Sequence, residues 1–170
     1  MNTLHRIAAS LLFAILAPAH AGSPGGLQVV VLGSAKAAPH IGQVKSFFAM
    51  PHDDPMSCLD SQLNLNSGYR KGAPKGITAD LALAAVADKR KRATLARLLS
   101  GYRDKDHKRG FDAALAYDVK GSKLTFYGIS AFADADVEVS AIALADVNDK
   151  QKFNLAVCKA LVNLPVMEAP

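Results

Sequence analysis

Residue types with ligand chemistry stand closest together in Met50-Pro51-His52-Asp53-Asp54-Pro55-Met56-Ser57-Cys58. Thioether and imidazole groups suit copper, and imidazole with carboxylate suits zinc. Met50, His52 and Met56 are therefore candidate metal ligands, with His40 near enough in sequence to join them. The pattern departs from established metal motifs: no two histidines stand at i, i+4, and Cys58 is expected to be oxidised. A disulfide-anchored turn accounts for the same residues without a metal or other cofactor.

The second constellation is a concentration of charge. From Arg70 to Arg109 there are twelve Lys/Arg and four Asp/Glu, a net of +8, whereas the whole chain carries only +5. Lys89, Arg90, Lys91, Arg92, Arg97, Arg103, Lys105, Lys108 and Arg109 are the candidate contacts to an anionic partner. The arginines stand out, because a guanidinium makes bidentate pairs with carboxylates. An acidic protein or another anionic component of the cell envelope fits such a patch. Nucleic acid fits poorly, because the stretch lacks interleaved aromatics and Tyr102 alone is no stacking platform. A solvated face that only keeps the protein soluble is the simpler alternative.

Catalytic motifs are missing. The chain has no Gly-x-Ser-x-Gly, no His-Glu-x-x-His and no glycine-rich phosphate loop. Gly33-Ser34 follows an apolar run as a nucleotide-binding turn would, but one glycine does not make a phosphate cradle. Beyond residue 21 the histidines are His40, His52 and His107, and His107 is set among cations that make it a poor general base.

Around these residues the sequence lays out its elements. His5 and Arg6, the apolar Ile7–Leu16 and the small-x-small Ala19-His20-Ala21 read as a secretory signal peptide over residues 1–21. The apolar run is too short to span a bilayer, and no later stretch reaches the ~18 apolar residues a spanning helix needs. Residues 22–170 are expected to form a single globular domain, exported to a bacterial periplasm or secreted. That compartment is oxidising, so Cys58 and Cys158 are expected to form a disulfide. In the chain-entropy model, closing so long a loop stabilises by about 4.7 kcal/mol.

Leu27–Leu32 (LQVVVL) reads as a buried strand ended by Gly33, and Ile41–Met50 as a short helix. Leu63 and Leu65 suggest a short edge strand. Ile77–Tyr102 is expected to be one long central helix, N-capped by Thr78 and about 35 Å from Thr78 to Ser100. Leu81, Ala84, Ala85, Leu95, Leu98, Leu99 and Tyr102 form its core-facing stripe. Four consecutive cations, Lys89–Arg92, cover most of the circumference. One of them must then point inward, snorkel, or mark a break between two shorter helices.

Past the charged segment Gly101–Gly110 the period becomes two. Phe111, Ala113, Leu115, Tyr117 and Val119 line one face of a strand, and Gly121-Ser122 is a two-residue turn into Leu124–Ser130. This register pairs Val119 with Leu124 and Tyr117 with Phe126. Val137–Leu144 is a third strand, and Asp149–Leu161 a closing helix. The expected fold is α+β: an antiparallel sheet of three to five strands with helices packed on one face. The expected function is that of a small exported, non-catalytic binding protein, of inhibitor or immunity type or an envelope accessory subunit. It would use the basic helix and flanking loops to bind an anionic macromolecule. A copper, zinc or small-ligand carrier built around His52, or a hydrolase of unrecognised geometry, is the alternative.

Overall fold

The computed structural model describes residues 27–49, 74–102 and 110–165. Residues 1–21, the Met50–Cys58 constellation, the Leu63–Leu65 segment and the cations at 103, 105, 108 and 109 lie outside the described residues.

The meander forms as its alternation dictates. β2 (Ala113–Lys120) and β3 (Lys123–Ser130) flank the turn at Gly121, whose φ of +58° is easy for glycine and strained for most residues. Their register sets Tyr117 against Phe126 and Val119 against Leu124, as the sequence predicts. β4 (Glu138–Ala143) pairs antiparallel with β3. β1 (Val29–Gly33) completes a four-stranded sheet in the order β1-β2-β3-β4.

Two parts of the expected sheet architecture need correction. First, β1 runs parallel to β2, with Val29 beside Ala113 and Gly33 beside Tyr117, so the sheet is mixed rather than purely antiparallel. A parallel neighbour needs a long crossover, and the whole chain between residues 33 and 113 supplies it. Second, helices cover both faces. α1 (Ile41–Phe48) and α4 (Lys150–Lys159) pack against the face bearing Val29, Leu115, Tyr117, Leu124 and Phe126. The opposite face, with Val30, Leu32, Ala114, Ala116, Tyr127 and Ile129, is covered by Ile77 and by the helical Ala82, Ala85, Leu95 and Leu99. Ala114 and Ala116 are fully buried; their small side chains let that layer approach closely, so β2 is enclosed on both sides.

The long central helix is also absent. In its place are α2 (Ala79–Ala85) and α3 (Lys89–Gly101). Thr78 caps α2 as expected, its hydroxyl accepting from the Leu81 N–H at 3.1 Å. Asp88 then caps α3, one carboxylate oxygen accepting from the N–H groups of Arg90 (2.8 Å) and Lys91 (3.2 Å). Arg92 turns back on α2 and donates from Nε to the Ala85 carbonyl (3.1 Å) and from Nη2 to the Val86 carbonyl (2.9 Å). These are two of the acceptors a helix C-terminus leaves unsatisfied. In an unbroken helix Arg92 would share the inward stripe with Leu95 and Leu99, so the break relieves a buried cation. It also fits length: a 35 Å rod would overhang eight-residue strands of roughly 27 Å, whereas a helical pair lies over them.

Glycine is needed where α4 meets the sheet. A methyl on Gly128 would collide with the Ala160 carbonyl oxygen, so the end of α4 rests directly on β3. At the start of the sheet, the buried Asp112 accepts from the Gln28 N–H at 2.7 Å and ties the chain before β1 to that before β2.

Candidate functional site

Among the described residues the cations divide by whether the fold already uses them. Arg92 is half-buried and spent on the α2 carbonyls. Lys152 bridges Asp146 at 3.0 Å and lies 3.9 Å from Asp149; the Asp146 hydrogen bond raises its amine above the ordinary lysine range. Lys120 stands over the Tyr127 ring, 5.0 Å from its centroid, and hydrogen bonding to Tyr127 raises its amine likewise.

Lys89, Arg90, Lys91 and Arg97 are different. All four are exposed on α3, and none has an ion-pair partner among the described residues. Arg90 and Arg97 are seven residues apart, which returns to nearly the same face after two turns and separates them by about 10.5 Å along the axis. That face is opposite the buried Leu95, Ala96 and Leu99. Thr94 lies between them with its hydroxyl donating to the Arg90 carbonyl at 3.0 Å, leaving a low surface flanked by two guanidiniums. Lys89 and Lys91 stand on either side of this line in the first turn. Cations at a helix N-terminus oppose the macrodipole, so this placement is not one that helix stability selects.

The C-terminal end of α3 is anchored. Tyr102 and Phe111 stack with ring centroids 5.1 Å apart, and the Phe111 N–H donates to the Leu99 carbonyl at 3.0 Å. Arg103, Lys105, Lys108 and Arg109 lie outside the described residues, between Tyr102 and Gly110.

Of the proposed metal ligands only His40 is described; it ends the 3₁₀ segment Ala35–His40 and is half-buried. No group of three or more His, Cys, Asp or Glu side chains among the described residues could hold a metal ion. Cys158 is buried on the sheet side of α4, and the described residues include no free cysteine; Cys58 lies outside them. No helix among the described residues is long and apolar enough to cross a membrane.

Sequence reasoning missed a second concavity, on the other side of the sheet, where α1 meets the start of α4. It is lined by Gln43 and Asn148, which are 105 residues apart in the chain and touch through a single hydrogen bond. No spacing rule joins residues so far separated.

No protein-family model matches this chain, and no curated protein and no solved structure matches it.

Proposed function

We propose that this chain is a small exported binding protein whose basic α3 face engages an acidic protein in the envelope or outside the cell. The observation that carries the reading is the concentration of exposed, unpaired cations on one helix; Lys36, Lys45, Lys75, Lys123 and Lys159 are exposed too, but scattered over other elements. The fold employs Arg92, Lys120 and Lys152, while Lys89, Arg90, Lys91 and Arg97 stand exposed and without ion pairs among the described residues. Lys89, Arg90 and Lys91 stand in the first turn of α3, where cations oppose the helix macrodipole, so the cluster brings the free helix no gain. It raises the local concentration of an anionic partner and accelerates encounter. Arg90 and Arg97 would pair bidentately with carboxylates spaced about two helical turns apart. The signal-peptide pattern of residues 1–21 supports the exported location.

The test is capture from envelope extract by the immobilised chain at low salt, beside a variant carrying Lys89→Ala, Arg90→Ala, Lys91→Ala and Arg97→Ala. The expected result is a discrete acidic protein retained by the wild type, released as ionic strength rises, and not retained by the variant. Equal retention by both chains, or nothing retained at low salt, refutes the reading.

A further inference from the structure

β4 is the last strand of the sheet, and among the described residues it pairs with β3 alone. Which of its backbone groups face outward is fixed by one hydrogen bond. The Leu144 N–H donates inward to the Ser122 carbonyl at 2.9 Å, one position beyond the Lys123–Ala143 pair. Backbone groups alternate in direction along an antiparallel strand, so Ile142 and Ser140 also turn theirs toward β3. Those of Val139, Ala141 and Ala143 point away from the sheet.

The same three residues carry exposed side chains. Val139 lies opposite Tyr127, so with Ala141 and Ala143 it extends the face under α2 and α3 beyond the cover of those helices. Val139 is 57 % exposed, more than any other large apolar side chain among the described residues. Sheet edges are ordinarily guarded by Lys, Pro or a bulge. Val139–Ala143 has none of these: the segment reads Val-Ser-Ala-Ile-Ala, and its register with β3 is one-to-one throughout. An open edge with an uncharged, apolar flank is a template for another strand.

Two features of the edge specify that strand. First, the edge is self-complementary about Ala141. When Ala141 of two antiparallel copies meet, Val139 of each copy faces Ala143 of the other. Every outward-pointing group is then paired, each pair exchanging both its N–H···O bonds, and each bulky side chain meets a small one. Second, the ends are opposite in charge. The chain enters β4 past Asp134, Asp136 and Glu138, whereas Ala143 at the far end lies beside Lys123, which pairs in turn with Lys120. Asp146, just beyond that end, is already bridged by Lys152. Antiparallel copies bring each acidic end to the other's basic end, and parallel copies would set like beside like.

We propose that β4 pairs antiparallel with β4 of a second copy of this chain, about a two-fold axis at Ala141. The two four-stranded sheets become one continuous sheet through an interface that uses the same residues from both copies. The pairing is separate from the α3 cations and stands whether or not they bind a partner.

The test is sedimentation velocity of the purified chain over a concentration series, beside Val139→Lys, Ala141→Pro and Leu155→Lys. The expected result is a monomer–dimer equilibrium with a dissociation constant of about 100 μM or tighter. Val139→Lys sets a cation on the edge, and Ala141→Pro removes an outward N–H that the free sheet does not use. Each should weaken dimerisation by about tenfold or more and leave the circular dichroism unchanged. Leu155→Lys makes the same change at an exposed position of α4 and should dimerise as the wild type does. A chain that stays monomeric at about 1 mM overturns the proposal. So does a dimer that survives both β4 substitutions, or one that Leu155→Lys weakens equally.

Discussion

Replacing Arg92 with methionine separates the cation that builds the fold from those left over. Methionine keeps the aliphatic stem and good helix propensity, so the change removes chiefly the guanidinium and its two hydrogen bonds. Those bonds run to the Ala85 and Val86 carbonyls at 3.1 and 2.9 Å, in a half-buried position. Hydrogen bonds from charged donors contribute about 1.5–3 kcal/mol each when well desolvated. Water reaches this site and can take over part of the role, which brings the joint loss to about 2 kcal/mol. With an unfolding entropy of about 2.1 cal/mol/K per residue, a domain of this size loses about 3 °C per kcal/mol, so the melting point should fall by about 6 °C. Arg90→Met is the internal control. Arg90 is exposed, and its change should stay within about 0.5 kcal/mol, or less than 2 °C. Thermal unfolding by circular dichroism reads both variants, and urea unfolding at unchanged m-value checks that the compactness of the two end states is preserved. If the two substitutions shift the transition equally, the capping role assigned to Arg92 and the division of cations built on it both fail.

Further outcomes are expected at two glycines and at the cysteine pair. Gly128→Ala should destabilise by about 2–3 kcal/mol, seen as a lower urea midpoint, because the added methyl meets the Ala160 backbone rather than a side chain that could move. Gly42→Ala, at a position open to solvent, should not destabilise at all. Intact mass of the non-reduced exported protein should equal that of residues 22–170 less two hydrogens. Reduction should then lower the melting point by several degrees; two titratable thiols would refute the Cys58–Cys158 pairing.

The hairpin was legible in the sequence because everything that sets it is local. Gly121-Ser122 fixes the turn, and the alternation of Tyr117, Val119, Leu124 and Phe126 fixes which residues meet. β1 was legible as a buried strand, but its direction was not. The unbroken apolar run Val29–Leu32 is what a parallel strand covered on both faces requires, yet nothing in it names a partner 84 residues away. Ala114 and Ala116 misled by being small. Alternation placed them on the open side, whereas their lack of bulk is what admits the second helical layer. The helix break had a local sign, Asp88 followed by four cations, and propensity alone outweighed it. For the candidate contacts, the sequence supplied residue type but not employment: Arg92 and Arg90 read alike until the Ala85 and Val86 carbonyls appear beside one of them.

The parallel pairing of β1 with β2 has a bearing on when the molecule can fold. The first strand among the described residues sets Val29 beside Ala113, so its hydrogen-bonding partner follows 84 residues later, about half the chain. Contacts of such sequence separation form late and slowly, because the loop between them must be ordered first. Until β2 arrives, Val29–Leu32 has no sheet to join, and the helices that would cover it have no surface to rest on. A chain threaded through a membrane must be extended while it passes. If residues 1–21 direct export as their pattern predicts, a fold that closes only once most of the chain is present would keep the precursor open for the crossing.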